Sequence, residues 1–190
     1  MMRLFLAALF FCSLVSCSMV VSKQPVGDHP VDFRKVKLEG TWAKDGNEEH
    51  AEDYAFVIKD RKKGTMVVFD GDDEHEIIVR QTGDTVFVNL KEKEEDHYAW
   101  GVLVLKANRF HVLMPDADEF SALLRQERVP GIIIQEEDID PDGNIVRSGA
   151  TIIVDDPSGK WVNHLVAGKL GDPFVHEDPE TFKRVRGPLP

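Results

Sequence analysis

Cysteine is almost missing from this chain: two among 190 residues, Cys12 and Cys17. A disulfide-stapled fold is therefore excluded. Basic charge is scarce too, with 23 Lys and Arg against 34 Asp and Glu, a net charge of −11. A nucleic-acid binder must neutralise phosphates with clustered cations, and no such stripe exists here. The same acidity opposes adsorption onto anionic head groups. Nucleophile and cofactor signatures are absent: there is no G-x-S-x-G, no H-E-x-x-H, no Cys–His metal spacing and no glycine-rich phosphate loop. No catalytic residues are expected. What the chain does have is 42% apolar residues, enough for one globular core and too many for a disordered chain, at a length that suits a single domain.

The apolar residues begin at once. Arg3 is the only charge before Lys23, and Leu4 to Val15 form a greasy run broken only by Ser13. A spanning helix needs about 20 apolar residues, a secretory h-region only about 7–15. A positive start, an apolar middle and small residues after it read as a signal peptide over 1–16. The alternative, a buried helix of the domain, would need a polar face that this run lacks. Leu14-Val15-Ser16-Cys17 resembles the lipobox of bacterial lipoproteins. That resemblance implies cleavage before Cys17, a diacylglycerol on its thiol, and a membrane as partner through the lipid anchor. Plain secretion is the alternative, but cleavage here removes Cys12 and leaves one thiol without an intrachain partner, which is unusual for a secreted protein unless it is modified. In Gram-negative lipoproteins an Asp after the Cys marks inner-membrane retention. Ser18 resembles the outer-membrane type, facing periplasm or exterior.

Pro25, Gly27 and Pro30 then suggest a flexible tether over 17–34, ahead of one β-rich domain over 35–190. From Leu38 to Met114 the apolar period is two, in seven short runs: Leu38–Lys44, Tyr54–Ile58, Met66–Phe69, Ile77–Val79, Val86–Leu90, Tyr98–Val104 and Phe110–Met114. Short loops between them predict an antiparallel meander, since parallel pairs need long crossovers. Ala107-Asn108 fits a tight turn, though without the favoured Gly. The period then lengthens: Asp116-Ala117-Asp118 starts a helix carrying Phe120, Leu123 and Leu124, which Pro130-Gly131 stops. A weaker copy runs from Asp155-Asp156 through Trp161, His164 and Leu165 to Gly171. Ile132–Ile134 and Ala150–Val154 are further strand candidates.

Gly40-Thr41-Trp42 resembles the G-x-W of lipocalins and related calycin barrels. In that family the Trp closes one barrel end and a late Arg packs on the indole, a part that Arg184 or Arg186 could take. The fold expected is thus mainly β, a meander closing into a lipocalin-like barrel, with one or two short helices in the last third. The acidic stretch from Gln135 to Gly149 departs from the family pattern and puts eight-strand closure in question.

Small barrels are either filled by side chains or hold one small ligand. For a ligand, the lining residues expected are Phe56, Val88, Trp100, Val102 and Phe110. Two functions follow: a noncatalytic lipoprotein that carries a small apolar molecule, or a structural or interaction module of the envelope with a solid core. Asp138, Asp140 and Asp142, in D-x-D-x-D-G, match the front of a calcium loop, with Gly149 where a bidentate Glu belongs. Pro141-Asp142-Gly143 is equally a hairpin turn. Calcium is the one cofactor this pattern raises. His50, His75, His97 and His176 have acidic neighbours and read as solvated loop or strand-end groups. His111, among apolar neighbours, reads as structural.

Overall fold

The computed structural model describes residues 18–44, 53–91, 96–139, 145–156, 159–176, 179 and 181–186. Seven strands form the meander: β3 (Gly40–Lys44), β4 (Asp53–Asp60), β5 (Thr65–Asp70), β6 (Asp73–Thr82), β7 (Thr85–Lys91), β8 (Tyr98–Lys106) and β9 (Arg109–Leu113). Each pairs antiparallel with the next. The eighth barrel strand is β12 (Thr181–Arg186), inserted between β9 and β3. The result is a closed, eight-stranded, antiparallel barrel of lipocalin-like form. Closure leaves these strands without an open edge.

Two positions show what closure demands of the backbone. Gly40, the G of G-x-W, has φ +136°, a conformation that L side chains rarely adopt. Gly101 on β8 lies against β9, where an added Cβ would come within 2.5 Å of the Val112 Cγ1 and 2.9 Å of the Leu113 carbonyl oxygen. The seam therefore requires a residue without a side chain. In the turn between these strands Ala107 takes φ +50° where Gly or Asn is the usual choice.

Between β9 and β12 the chain leaves the barrel. Helix α1 (Ala117–Arg125) is capped by the Asp116 carboxylate, which accepts from the amides of Asp118 and Glu119. Strands β10 (Gly131–Ile139) and β11 (Ile145–Val154) pair as a hairpin, with Ile139 opposite Ile145. Helix α2 (Lys160–Val166) follows. It ends well before Gly171, because Gly168 at φ +69° already turns the chain. Within the acidic stretch, residues 135–139 and 145–149 thus pair with one another outside the barrel, and eight-strand closure stands.

The expected tether is a correction. Residues 19–22 form β1 (Met19–Ser22), with Val20 and Val21 buried. This strand pairs parallel with β11 and antiparallel with the start of β8, so one parallel pair interrupts the antiparallel rule. Strand β2 (His29–Pro30) then lies on β6, and Val31 and Phe33 enter the barrel core. The cause is burial: Pro25, Gly27 and Pro30 bend the segment, while Val20, Val21, Val26, Val31 and Phe33 hold it down.

One polar side chain fastens this segment. Asn89 on β7 is fully buried; its Oδ1 accepts from the Val26 amide at 2.6 Å, and its Nδ2 donates to the carbonyls of Val26 and Ile78, each at 3.1 Å. Arg80 reaches the carbonyls of Gly27 and Asp28 beside it. Asn89→Leu leaves the buried Val26 amide and carbonyl without these partners. It should cost about 2–4 kcal/mol in denaturant unfolding and speed hydrogen exchange at Val26.

Candidate functional site

Alternation along β7 and β8 divides the interior in two. Val88 and Leu103 face the barrel lumen, while Phe87, Trp100 and Val102 face outward into a second core. Of the expected lining residues, the structure brings Phe56, Val88 and Phe110 together in the lumen and places Trp100 and Val102 on the other side of the wall. Period two fixes which residues share a face, and both faces of this wall are buried, so alternation alone does not tell inside from outside.

Aromatic side chains from four neighbouring strands cluster in the lumen. Phe110 is the hub: Phe182 stacks on it at 4.8 Å between centroids, Trp42 meets it edge-on at 4.8 Å, and Phe56 edge-on at 5.6 Å. Tyr54 packs edge-on against Phe182 at 5.4 Å. Met66 and Val79, both fully buried, belong to the same cluster. Every one of these ring geometries is among the favoured aromatic pairings. Phe182 is not among the expected lining residues: the apolar residues of Thr181–Arg186, Phe182 and Val185, are three apart and give no period-two signal.

Trp42 and Arg184 close one barrel end. They are register partners across β3 and β12, and the Arg184 guanidinium carbon lies 4.3 Å from the centroid of the Trp42 ring. The indole Nε1–H donates to the Leu38 carbonyl at 2.7 Å. Arg184 donates to the carbonyl of Glu39 at 3.0 Å and to that of Lys37. One cation therefore ties the last strand to the coil that crosses the barrel mouth. That coil is itself turned by Asp32, whose carboxylate accepts from the backbone and guanidinium of Arg34 and is held down to about 2 by those bonds.

The outer core gathers Phe87, Phe120, Trp161 and Phe174 around Trp100, at 5.5–6.2 Å between centroids. The Trp100 Nε1–H has no hydrogen-bond partner among the described residues. Beside this core lies an open cleft of about 230 Å³, lined by Gln24, Asp28, Arg80, Asp156 and Trp161 among others. The Arg80 guanidinium, the one cation among the described lining residues, is already engaged by main-chain carbonyls.

Cys17, Asp140, Asp142 and His50 lie outside the described residues, and Asp138 is placed only as backbone at the end of β10. Among the described residues no three His, Cys, Asp or Glu side chains converge as a metal site. His111 is half-buried on β9, and burial, then the Lys106 and His176 charges, lower its affinity for a proton. His176 pairs with Asp172 at 2.9 Å. No described helix is long and apolar enough to cross a membrane. No protein family model, curated protein or solved structure matches the chain.

Two outcomes follow from the barrel end. Arg184→Ala should lower unfolding stability by about 2–3 kcal/mol, and Arg184→Lys by about half of that, since Lys keeps the cation and loses the planar fork. The Asp32 carboxylate, depressed from 3.8 to about 2, adds stability above pH 3.8 that is lost as pH falls toward 2. Arg34→Ala should return its NMR titration midpoint toward 3.8; a midpoint that stays low would assign the shift to another group.

Proposed function

We propose that this chain is a noncatalytic, lipid-anchored protein of a bacterial cell envelope, whose barrel is a solid interaction module and not a carrier. The observation that supports this choice is the aromatic cluster centred on Phe110. A small apolar ligand in the lumen would have to displace Phe182 or Trp42, and each of these rings is almost wholly buried and packed on Phe110. Displacing a packed core ring forfeits contacts of about 3–5 kcal/mol, the cost seen when such rings are removed. Wide barrels hold ligands because their walls stand apart; here rings from β3, β4, β9 and β12 meet inside the lumen.

Anchoring is supported by the leader, by Leu14-Val15-Ser16-Cys17, and by Cys17 being the sole cysteine after cleavage there. Only Ser18 separates Cys17 from β1 in the sequence, and two residues of extended chain span at most about 7 Å. An acyl anchor at Cys17 holds the folded body close to the lipid surface, with little slack. Several buried acyl chains, at about 0.8 kcal/mol per methylene, supply a lasting attachment.

Two measurements test the two halves separately. Titration of the protein with a fatty acid or a retinoid should leave tryptophan fluorescence without a saturable change; a one-to-one quench would restore the carrier reading. Intact mass of protein from its native membrane should show a chain beginning at Cys17 with acyl groups added, and Cys17→Ser should release it to the soluble fraction. A retained leader or a bare thiol would remove the anchor.

A further inference from the structure

A row of side chains crosses four strands on the face that continues the inner wall of the barrel: Ala99 on β8, Val21 on β1, Ile153 on β11 and Ile132 on β10. The first three are at most 5% exposed; Ile132 is 54% exposed. Ile134, two residues on and pointing the same way, is 47% exposed. The row stays covered until the last strand and then opens to solvent. Strand β10 is also the end of the strand order, bonded to β11 alone among the described residues. It presents a nine-residue edge of main-chain donors and acceptors. Gly131–Ile139 contains no lysine or proline, and its protections, a bulge between Glu136 and Glu137 and the carboxylates there, lie in the second half and leave Ile132 and Ile134 exposed. Glu136 and Glu137, both exposed, follow the isoleucines.

We propose that β10 is a docking edge, taking as a further strand an extended segment of a partner protein that is apolar at one end and rich in Lys or Arg at the other. The proposal names the working surface of the interaction module inferred above and rests on that reading. Main-chain pairing with the edge would supply affinity, and the side-chain row would select the sequence. Against Ile132 and Ile134 the segment needs branched apolar residues; against Glu136 and Glu137 it needs cations, since opposite charges across strands stabilise and like charges do not.

A second copy of this chain suits the edge poorly. Antiparallel self-pairing centred on Ile133 sets Ile132 against Ile134 but stops at Gly131 and Gln135. The next step puts Glu136 opposite Pro130, which has no amide hydrogen to give. Centred on Glu136 instead, the pairing brings carboxylates face to face between bodies that each carry −11. The acidic half thus discourages self-association and favours a basic partner.

The full chain carrying Cys17→Ser has no lipid, so the test is independent of anchoring, and it reads no lumen occupancy. The probes are two synthetic octapeptides of alternating valine and threonine. One has two lysines at its N-terminal end, for antiparallel addition, and its twin has two glutamates there. The lysine peptide should slow amide exchange from Ile132 to Glu137 and bind at least about tenfold more tightly than its twin. The double variant Glu136→Lys, Glu137→Lys should invert that preference while leaving the amide spectrum of the barrel unchanged. Equal binding of both peptides, no binding, or protection appearing away from β10 would overturn the proposal. So would a concentration-dependent dimer abolished by Ile134→Lys, which would make a second copy the occupant.

Discussion

Strand β8 serves two cores at once, and the rest of the molecule is arranged around that. Its first half pairs with β1 and its second half with β9, so one strand both closes the barrel and launches the outer sheet. Leu103 points into the lumen while Trp100 points out, and both are buried. A barrel wall ordinarily has one wet face. Here the wet face is removed over β7 and β8, and Phe87 and Trp100 become the floor on which α1, α2 and β11 settle. The excursion between β9 and β12 is therefore part of the same folding unit. Its Trp161 and Phe120 both pack edge-on against Trp100, which would be an exposed indole without them.

The N-terminal segment follows from the same constraint. Covering Phe87 and Trp100 leaves a gap beside β7, and Val20 and Val26 fill it. The polar cost of laying main chain there is met by Asn89, which satisfies both the amide and the carbonyl of Val26. A buried Asn on a barrel wall would otherwise be an expensive choice. Its presence makes sense as the clasp that fixes where the segment lies. Arg184 works the same way at the barrel end, where main-chain carbonyls of Lys37 and Glu39 accept from a guanidinium that also lies on Trp42. In both places one side chain holds a crossing segment by its main chain, beside the apolar side chains that the segment itself buries.

This explains which parts were legible beforehand. The seven meander strands, α1 with its Asp116 cap, and the positions of β10 and β11 could be named from local patterns, because alternation, capping and turn chemistry are local. The G-x-W at Trp42 and a late arginine were also readable as a resemblance, and Arg184 and Trp42 are neighbours across β12 and β3. The two-sided wall was not legible, since Phe87 and Val88 are adjacent apolar residues that alternation assigns to opposite faces without saying what covers each. Nor was β1. Its parallel partner lies over a hundred residues away, and the prolines and glycine after it have the composition of a linker. A clue was present in Met19-Val20-Val21, an apolar strand pattern that has no use in a tether. The exposed edge had a similar clue: three consecutive isoleucines on one strand cannot all point at a single core.

The register of β1 carries a consequence for the proposed anchor. Met19 lies opposite Thr151, and β1 runs parallel to β11. Residues 145–150 therefore extend past the start of β1, on the side where the chain leads back to Cys17, by about 20 Å at strand rise. An acyl group at Cys17 would place this end of the hairpin, with Glu136 and Glu137, nearest the lipid. Carboxylates beside anionic head groups are repelled, and the repulsion fades within about one Debye length, roughly 8 Å in physiological salt. A basic segment close to anionic lipid would be concentrated at the surface by the field that repels Glu136 and Glu137, so the proposed anchor, the acidic hairpin and the open edge would favour the same kind of partner.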